Sequence, residues 1–307
     1  MANELAKKHT GFKKKRMMEN IFYACLVALP LLNFVVFFIG VNANSIMLSF
    51  KEYDINGSAT FVGFKNFLDV FEDISSEYVV KVAMKNSAFI YLFNLVIQTP
   101  ICLLISYFVY KGCPGSEFFK VMLFLPNIIS GIVMATIFTY LCDRAIPEIL
   151  INFGIQTSGL ISDPDTAFMT ILIYNTIIGF GGGMILYTGT MSGISESVVE
   201  SCHLDGANMM QEFWYITLPM IYPMLTVGLI TGVSGLLTAD IGLFAYYGTG
   251  APGKLYTMGY YIFAKTYTST KIGYPYLAAL GLILTIIAVP LTYTVKYFLE
   301  KYDPMNS

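Results

Sequence analysis

The stretch Asn86-Ser-Ala-Phe-Ile-Tyr-Leu-Phe-Asn94-Leu-Val-Ile-Gln98-Thr-Pro-Ile-Cys102-Leu-Leu-Ile-Ser-Tyr-Phe-Val-Tyr110 contains no Lys, Arg, Asp or Glu. A helix needs about 20 apolar residues to cross a ~30 Å hydrocarbon core, so this stretch holds one span. Five further charge-free runs of 22 or more residues follow the same rule: Asn20–Phe50, Val121–Cys142, Thr166–Ser195, Phe213–Ala239 and Ile272–Val295. Only helices or closed barrels satisfy every backbone group in lipid. Barrel strands are about ten residues long and alternate in polarity, which these solid runs do not. The runs predict an all-α integral membrane protein, a bundle of six transmembrane helices.

Composition agrees. Of 307 residues, 56% are hydrophobic and only 12% charged, against about 25% charged in soluble domains. That balance excludes a soluble globular enzyme. A net charge of −2 gives no basic footprint for nucleic acid, so no nucleic-acid partner is expected. Two histidines and five scattered cysteines give little material for a metal site, and none is expected.

Charge sets the orientation. Residues 1–20 carry six Lys/Arg, including Lys13, Lys14, Lys15 and Arg16, and the positive-inside rule places them in the cytoplasm. A basic stretch before an apolar run also describes a signal peptide. Here the apolar run is far longer than a signal core and no A-x-A site follows, so a retained anchor is expected. Six spans then return the C-terminus, with Lys296 and Lys301, to the cytoplasm. The expected organisation is a cytoplasmic tail (1–20), a first span with an extracellular cap segment (21–85), and a core of five spans (86–307). The outer loops would lie at about 51–85, 143–165 and 241–275.

Intramembrane polar groups are functional candidates. Asn94, Gln98, Tyr174, Asn175 and Tyr187 either hydrogen-bond a polar solute or bridge helices. Gly181 and Gly182, in Gly179-Phe-Gly-Gly-Gly183, either allow close helix packing or kink the fourth span beside a solute path. Asp240 either faces a wet cavity within the fifth span or marks that span's outer end. Gly248-Thr-Gly-Ala-Pro-Gly253-Lys254 is a near-match to a phosphate-binding loop. It lacks the following Ser or Thr, and a Gly/Pro outer turn is the better reading.

The loop between the fourth and fifth spans is the most informative segment. Ser197 and Glu200 have capping-box spacing, Asp205-Gly206 signals a turn, and a second short helix should reach Tyr215. Pro219 suits the first turn of the next span. The outcome is a helix–turn–helix elbow over 194–219. Glu200-Ser201-Cys202, three residues, Gly206, nine residues and Ile216-Thr-Leu218-Pro219 resemble the Glu-Ala-Ala…Gly…Ile-x-Leu-Pro signature of permease subunits of binding-protein-dependent ABC importers. Ser201-Cys202 replace the two alanines, and both are still small. Ser45-Ile-Met-Leu-Ser-Phe50 with Phe61-Val-Gly-Phe-Lys-Asn-Phe67, Phe119-Lys-Val-Met-Leu-Phe-Leu-Pro126, and Asp205-Gly-Ala207 with Phe213 resemble further segments of the carbohydrate-uptake branch. They look like its first-permease type, found in maltose and glycerol-3-phosphate importers.

The resemblance implies a type I importer fold in a bacterial cell membrane, in contact with membrane lipid. It also implies a second homologous permease, two cytoplasmic ATPase subunits and an external, periplasmic or extracellular, solute-binding protein. The substrate would be a sugar or oligosaccharide. Glu200, Ser201, Cys202, Asp205, Gly206, Ala207, Ile216, Leu218 and Pro219 would dock the ATPase. ATP and Mg would sit on the partner subunits, with no catalysis and no cofactor in this chain. The alternatives are a permease for another polar solute (glycerol phosphate, a polyamine, a peptide) and a stand-alone secondary transporter or channel.

Overall fold

The structure is a computed structural model that describes residues 2–154 and 159–304, with side chains from Arg16 onward. Residues 155–158 of the second outer loop and the side chains of Lys13, Lys14 and Lys15 lie outside the described residues. In chain order the elements are α1 (Arg16–Ser49), a hairpin of β1 (Lys51–Tyr53) and β2 (Ala59–Phe61), α2 (Lys65–Ser76), α3 (Tyr78–Tyr110), α4 (Ser116–Ile128) and α5 (Gly131–Ile151). They continue with α6 (Pro164–Met191), α7 (Glu196–Leu204), α8 (Met209–Met220), α9 (Tyr222–Thr238), α10 (Leu243–Tyr247), α11 (Met258–Thr268) and α12 (Tyr274–Lys301).

Helices α1, α3, α6 and α12 are each long and apolar enough to cross a membrane. The pairs α4–α5 and α8–α9 pass the same test together but bend by 105° and 68°. With each pair crossing once, the chain has the six spans that the charge-free runs imply. The bends are departures from straight spans. Ile129 and Ser130 are extended, which breaks the run Val121–Cys142 after Pro126. At the second bend Pro223 cannot donate a backbone hydrogen bond and crowds the carbonyl four residues back, so the fifth transmembrane helix starts at Tyr222 rather than at Pro219.

Two compact units divide the chain: Met1–Leu68 with Thr270–Leu280, and Asp69–Ser269 with Gly281–Ser307. The division falls within α2, earlier than the expected boundary at 85, which itself lies inside α3. The expected separate tail is helical from Ala2 and continuous with the first span.

In the first unit, the apolar window of α1 buries no side chain, as a helix apolar all round does when lipid or another chain is its solvent. Its end is fastened locally. Buried Asn66 donates to the Ser49 and Lys51 carbonyls, at 2.8 Å each. Phe50 gathers Phe61, Phe64 and Phe67, with ring centroids 5.2–6.3 Å away. The Phe61–Phe67 motif is therefore the clasp that turns the chain back after α1.

The second unit packs α3 against α6. The segment after α9, read from sequence as a Gly/Tyr-rich loop, instead folds into α10 and α11 and joins the core. Ile241, Leu243, Leu255 and Tyr260 cluster with Ile90, Ile171 and Leu172. Its polar straps are specific: Asn86 donates to the Lys254 and Tyr256 carbonyls, and the Met258 amide donates to Ser87. Tyr247 donates to the Ile161 carbonyl at 2.6 Å. Burial, helped by the Asp143 carboxylate, pushes this hydroxyl up to about 12, so it remains a donor. Lys254, the lysine of the phosphate-loop near-match, pairs with Asp165 at 2.8 Å on an exposed turn.

Helix α6 continues without interruption through its glycines. A Cβ at Gly181 would strike the Leu123 carbonyl, and one at Gly183 would lie 2.6 Å from the Cys102 sulfur, whereas one at Gly182 meets nothing. The cluster is a close-packing surface with one open position. Gly181→Ala is expected to destabilise the protein by about 1–3 kcal/mol, the cost of overpacking. Gly182→Ala should be neutral or gain up to about 1 kcal/mol from helix propensity. Thermal unfolding of the two variants in detergent checks this, and equal responses would contradict the close approach.

Candidate functional site

The elbow starts on an exposed helix. Ser195 occupies the N-cap of α7 with extended backbone, and its hydroxyl lies 2.8 Å from that of Ser197. The capping box expected from Ser197 and Glu200 therefore does not form, because Ser197 is already inside the helix. The real box lies at the next helix: Asn208 accepts from the Gln211 amide, and Gln211 accepts from the Asn208 amide, both at 2.9 Å. Between them the Gly206 amide reaches the His203 carbonyl and the Ala207 amide reaches that of Cys202, at 3.0 and 3.2 Å. This is a Schellman ending. It requires Gly206 at φ +77°, so the turn demands the motif glycine.

The elbow stands on one buried charge. Glu212, in the first turn of α8, is 0% exposed. Lys111, just past α3, donates to both of its carboxylate oxygens at 3.0 Å. His203 Nε2 approaches to 3.4 Å from α7. Beside the pair, Tyr107 donates to the Met209 carbonyl at 3.0 Å, and its ring lies 5.0 Å from that of Phe213. Phe213 and Ile221 join Met191 and Ile194 in an apolar cluster that α3 also enters through Leu103 and Tyr107.

The sequence-derived docking residues separate around this seat. Glu200, Ser201, Asp205 and Gly206 are exposed, next to Leu204 at 88% exposure. Cys202, Ala207, Ile216, Leu218 and Pro219 are half-buried, and Leu218 packs on the apolar cluster. Sequence reasoning missed Glu212, Lys111, His203 and Tyr107. A signal was present: Lys111 immediately ends a charge-free run, and Glu212 immediately precedes one.

A second feature is a cavity of about 350 Å³ between α3, α6 and α9. It brings together Asn94, Tyr187 and Asp240 of the candidate solute-path residues, and adds Tyr91, Thr99 and Thr231. Asn94 opens a π-helical turn, Asn94–Gln98, within α3. Gly228 and Gly232 of α9 leave room for the tyrosines, since a Cβ on either would lie 3.3 Å from the Tyr187 hydroxyl or the Tyr91 ring. Asp240 lies just beyond α9 and also faces the cavity. Desolvation raises its carboxyl above the usual range, opposed by the amides of Leu243, Ile241 and Gly242 and by the Thr257 hydroxyl.

The other candidates do not line this cavity. Gln98 lies against Gly179. Asn175 donates to the Ile171 and Ile241 carbonyls at 2.9 Å each, bridging α6 to the segment after α9. Tyr174 stacks on Phe138 at 3.9 Å. Gly181 is a packing position, and Gly182 is open. Among the described residues, no group of three or more His, Cys, Asp or Glu side chains is arranged to hold a metal.

A family profile described as "Binding-protein-dependent transport system inner membrane component" matches residues 98–304, from the last residue of the π-turn onward and including the elbow. The chain belongs to that family. It is 25% identical to the probable ABC transporter permease protein YesP of Bacillus subtilis (strain 168), over 94% of this chain and 96% of that one. It is also 25% identical to the probable starch degradation products transport system permease protein AmyD of Thermoanaerobacterium thermosulfurigenes, over 90% and 95%. A solved chain from a bacterial ABC transporter involved in the import of the acidic polysaccharide alginate shares the fold. It superposes with TM-score 0.77 at 18% identity, over 94% of this chain and 99% of that one. This permease is thus a multi-pass membrane subunit, and ATP hydrolysis belongs to separate subunits.

The buried pair makes a quantitative prediction for the permease. Lys111→Met leaves the buried Glu212 carboxylate with only His203 Nε2, 3.4 Å away, which should cost about 3–5 kcal/mol. Lys111→Met with Glu212→Leu removes both charges and should recover most of that loss. Thermal unfolding, with limited proteolysis of the elbow, measures both. A double variant no more stable than the single one would show that the pair does not act as a unit.

Proposed function

We propose that this permease imports a sugar or oligosaccharide handed over by an external solute-binding protein. It would work with a second permease and two cytoplasmic ATPase subunits, and with both of its own termini in the cytoplasm. The observation that carries the reading is the elbow: an exposed tip of Glu200, Leu204 and Asp205, with its second helix held on the end of α3 by the buried Glu212–Lys111 pair and on the end of α6 by the apolar cluster around Met191. An exposed apolar residue beside an unpaired carboxylate suits a protein partner. Relatives named for multiple sugars, starch degradation products and arabinooligosaccharides support the substrate class. ATPase closure would push the tip, and α3 would carry the displacement to the cavity at Asn94 and Tyr187.

Among the described residues Glu200 has no ion pair or side-chain hydrogen bond, and it caps nothing. Its substitution therefore separates docking from folding. Glu200→Gln should leave the isolated permease within about 0.5 kcal/mol of its original stability. Loss of one partner of a desolvated interfacial pair should weaken ATPase association by about 2–5 kcal/mol. Binding of the purified ATPase to permease in proteoliposomes, with ATP-dependent uptake of a neutral oligosaccharide, tests both statements. Normal uptake by Glu200→Gln would remove the docking role. Uptake by the permease without any ATPase would favour a stand-alone transporter.

A further inference from the structure

The cavity between α3, α6 and α9 is electrically one-sided. Its wall offers hydroxyls and an amide from Tyr91, Asn94, Thr99, Tyr187 and Thr231, and its one acidic group is Asp240. No Lys or Arg lines it. Asp240 is exposed at the cavity's edge and has no ion pair among the described residues; its side-chain hydrogen-bond donor is the Thr257 hydroxyl, 3.5 Å away. A neutral donor of this kind leaves the carboxylate's charge uncancelled. The remaining wall is apolar, formed by Ile90, Leu95, Leu229 and Leu236. Low-dielectric walls focus the field of a lone charge at a cleft's edge into the cleft.

We infer that this cavity is a charge filter that admits neutral or cationic sugar units and rejects acidic ones, with Asp240 as the specificity-determining residue. The inference rests on the reading of this cavity as part of the solute path. The neutral hydroxyl-rich wall can exchange hydrogen bonds with a sugar's hydroxyls, and the tyrosines offer it ring faces. A uronic acid unit would bring a second carboxylate toward Asp240 with no base to neutralise either. The shared fold with a permease for an acidic polysaccharide thus does not carry over that charge preference.

Thiol chemistry tests this without knowing the solute. In the assembled transporter, with the five native cysteines replaced, Thr231→Cys places a thiol on the cavity wall. Its reaction rates with cationic and anionic methanethiosulfonates of similar size are compared, each corrected for the rate with a free thiol. The cationic reagent should react at least about tenfold faster. Asp240→Asn should bring the ratio to within about twofold of unity, and Asp240→Glu should preserve the preference. A ratio that Asp240→Asn leaves unchanged would overturn the filter while leaving the path reading intact. A thiol inert to both reagents would show that the glycine face of α9 is closed by another helix, and would overturn the path reading together with the filter. In the same variant, 10 mM maltotriose should slow labelling and 10 mM trigalacturonate should not; these concentrations are on the order of ten times a ~1 mM KM. Equal protection by both sugars would also overturn the filter.

Discussion

A fully buried carboxylate is tolerated only with a partner at hydrogen-bond distance, and Glu212 has Lys111 on both of its oxygens. That requirement organises one end of the second unit. Glu212 belongs to α8, Lys111 follows the last turn of α3, and His203 reaches in from α7. None of these elements can shift far without exposing an uncompensated charge to a low-dielectric interior. Tyr107 and Phe213, beside the pair, belong to the apolar cluster that also holds Met191. The elbow is therefore a seated part of the bundle, while its tip at Leu204 remains open.

Helix α3 links this seat to the cavity. Lys111 and Asn94 are 17 residues apart, about 25 Å along a helix at 1.5 Å per residue. A continuous helix over that length behaves as a stiff rod. Its π-helical turn at Asn94–Gln98 places its one irregularity beside the cavity, where an altered backbone does not disturb the seat. At the far end, Asn86 and Ser87 tie α3 to the segment around Lys254–Met258. In the proposed function, displacement at the elbow would be carried along this one element, which is anchored at both ends.

Much of this was legible in the sequence, and the failures have physical causes. Hydropathy located the six spans because lipid excludes charge. It could not show the bends at Ile129–Ser130 and Ile221, since composition is blind to helix direction. Spacing puts a capping box at Ser197–Glu200, whereas Asn208–Gln211 forms it. Both pairs have the correct spacing, and only the helix start distinguishes them. Glu212 was passed over because a carboxylate in a loop reads as solvated, and its partner is 101 positions away. Asp240 had two open readings, and the structure satisfies parts of both: it lies beyond α9 and faces the cavity. The segment 241–275 reads as a loop because its helices are short. Yet Tyr260 and Tyr261 are among the most deeply buried side chains in the protein.

The central claim is that the elbow and α3 move as one body. Spin labels at Leu204, on the exposed tip, and at Phe89, in the half of α3 away from the elbow, measure this by pulsed dipolar spectroscopy in the assembled transporter. The account predicts one narrow distance distribution, the same without nucleotide and with ATP trapped. A shift or broadening between the two states would contradict it, because the elbow would then swing on its seat instead of carrying the helix with it.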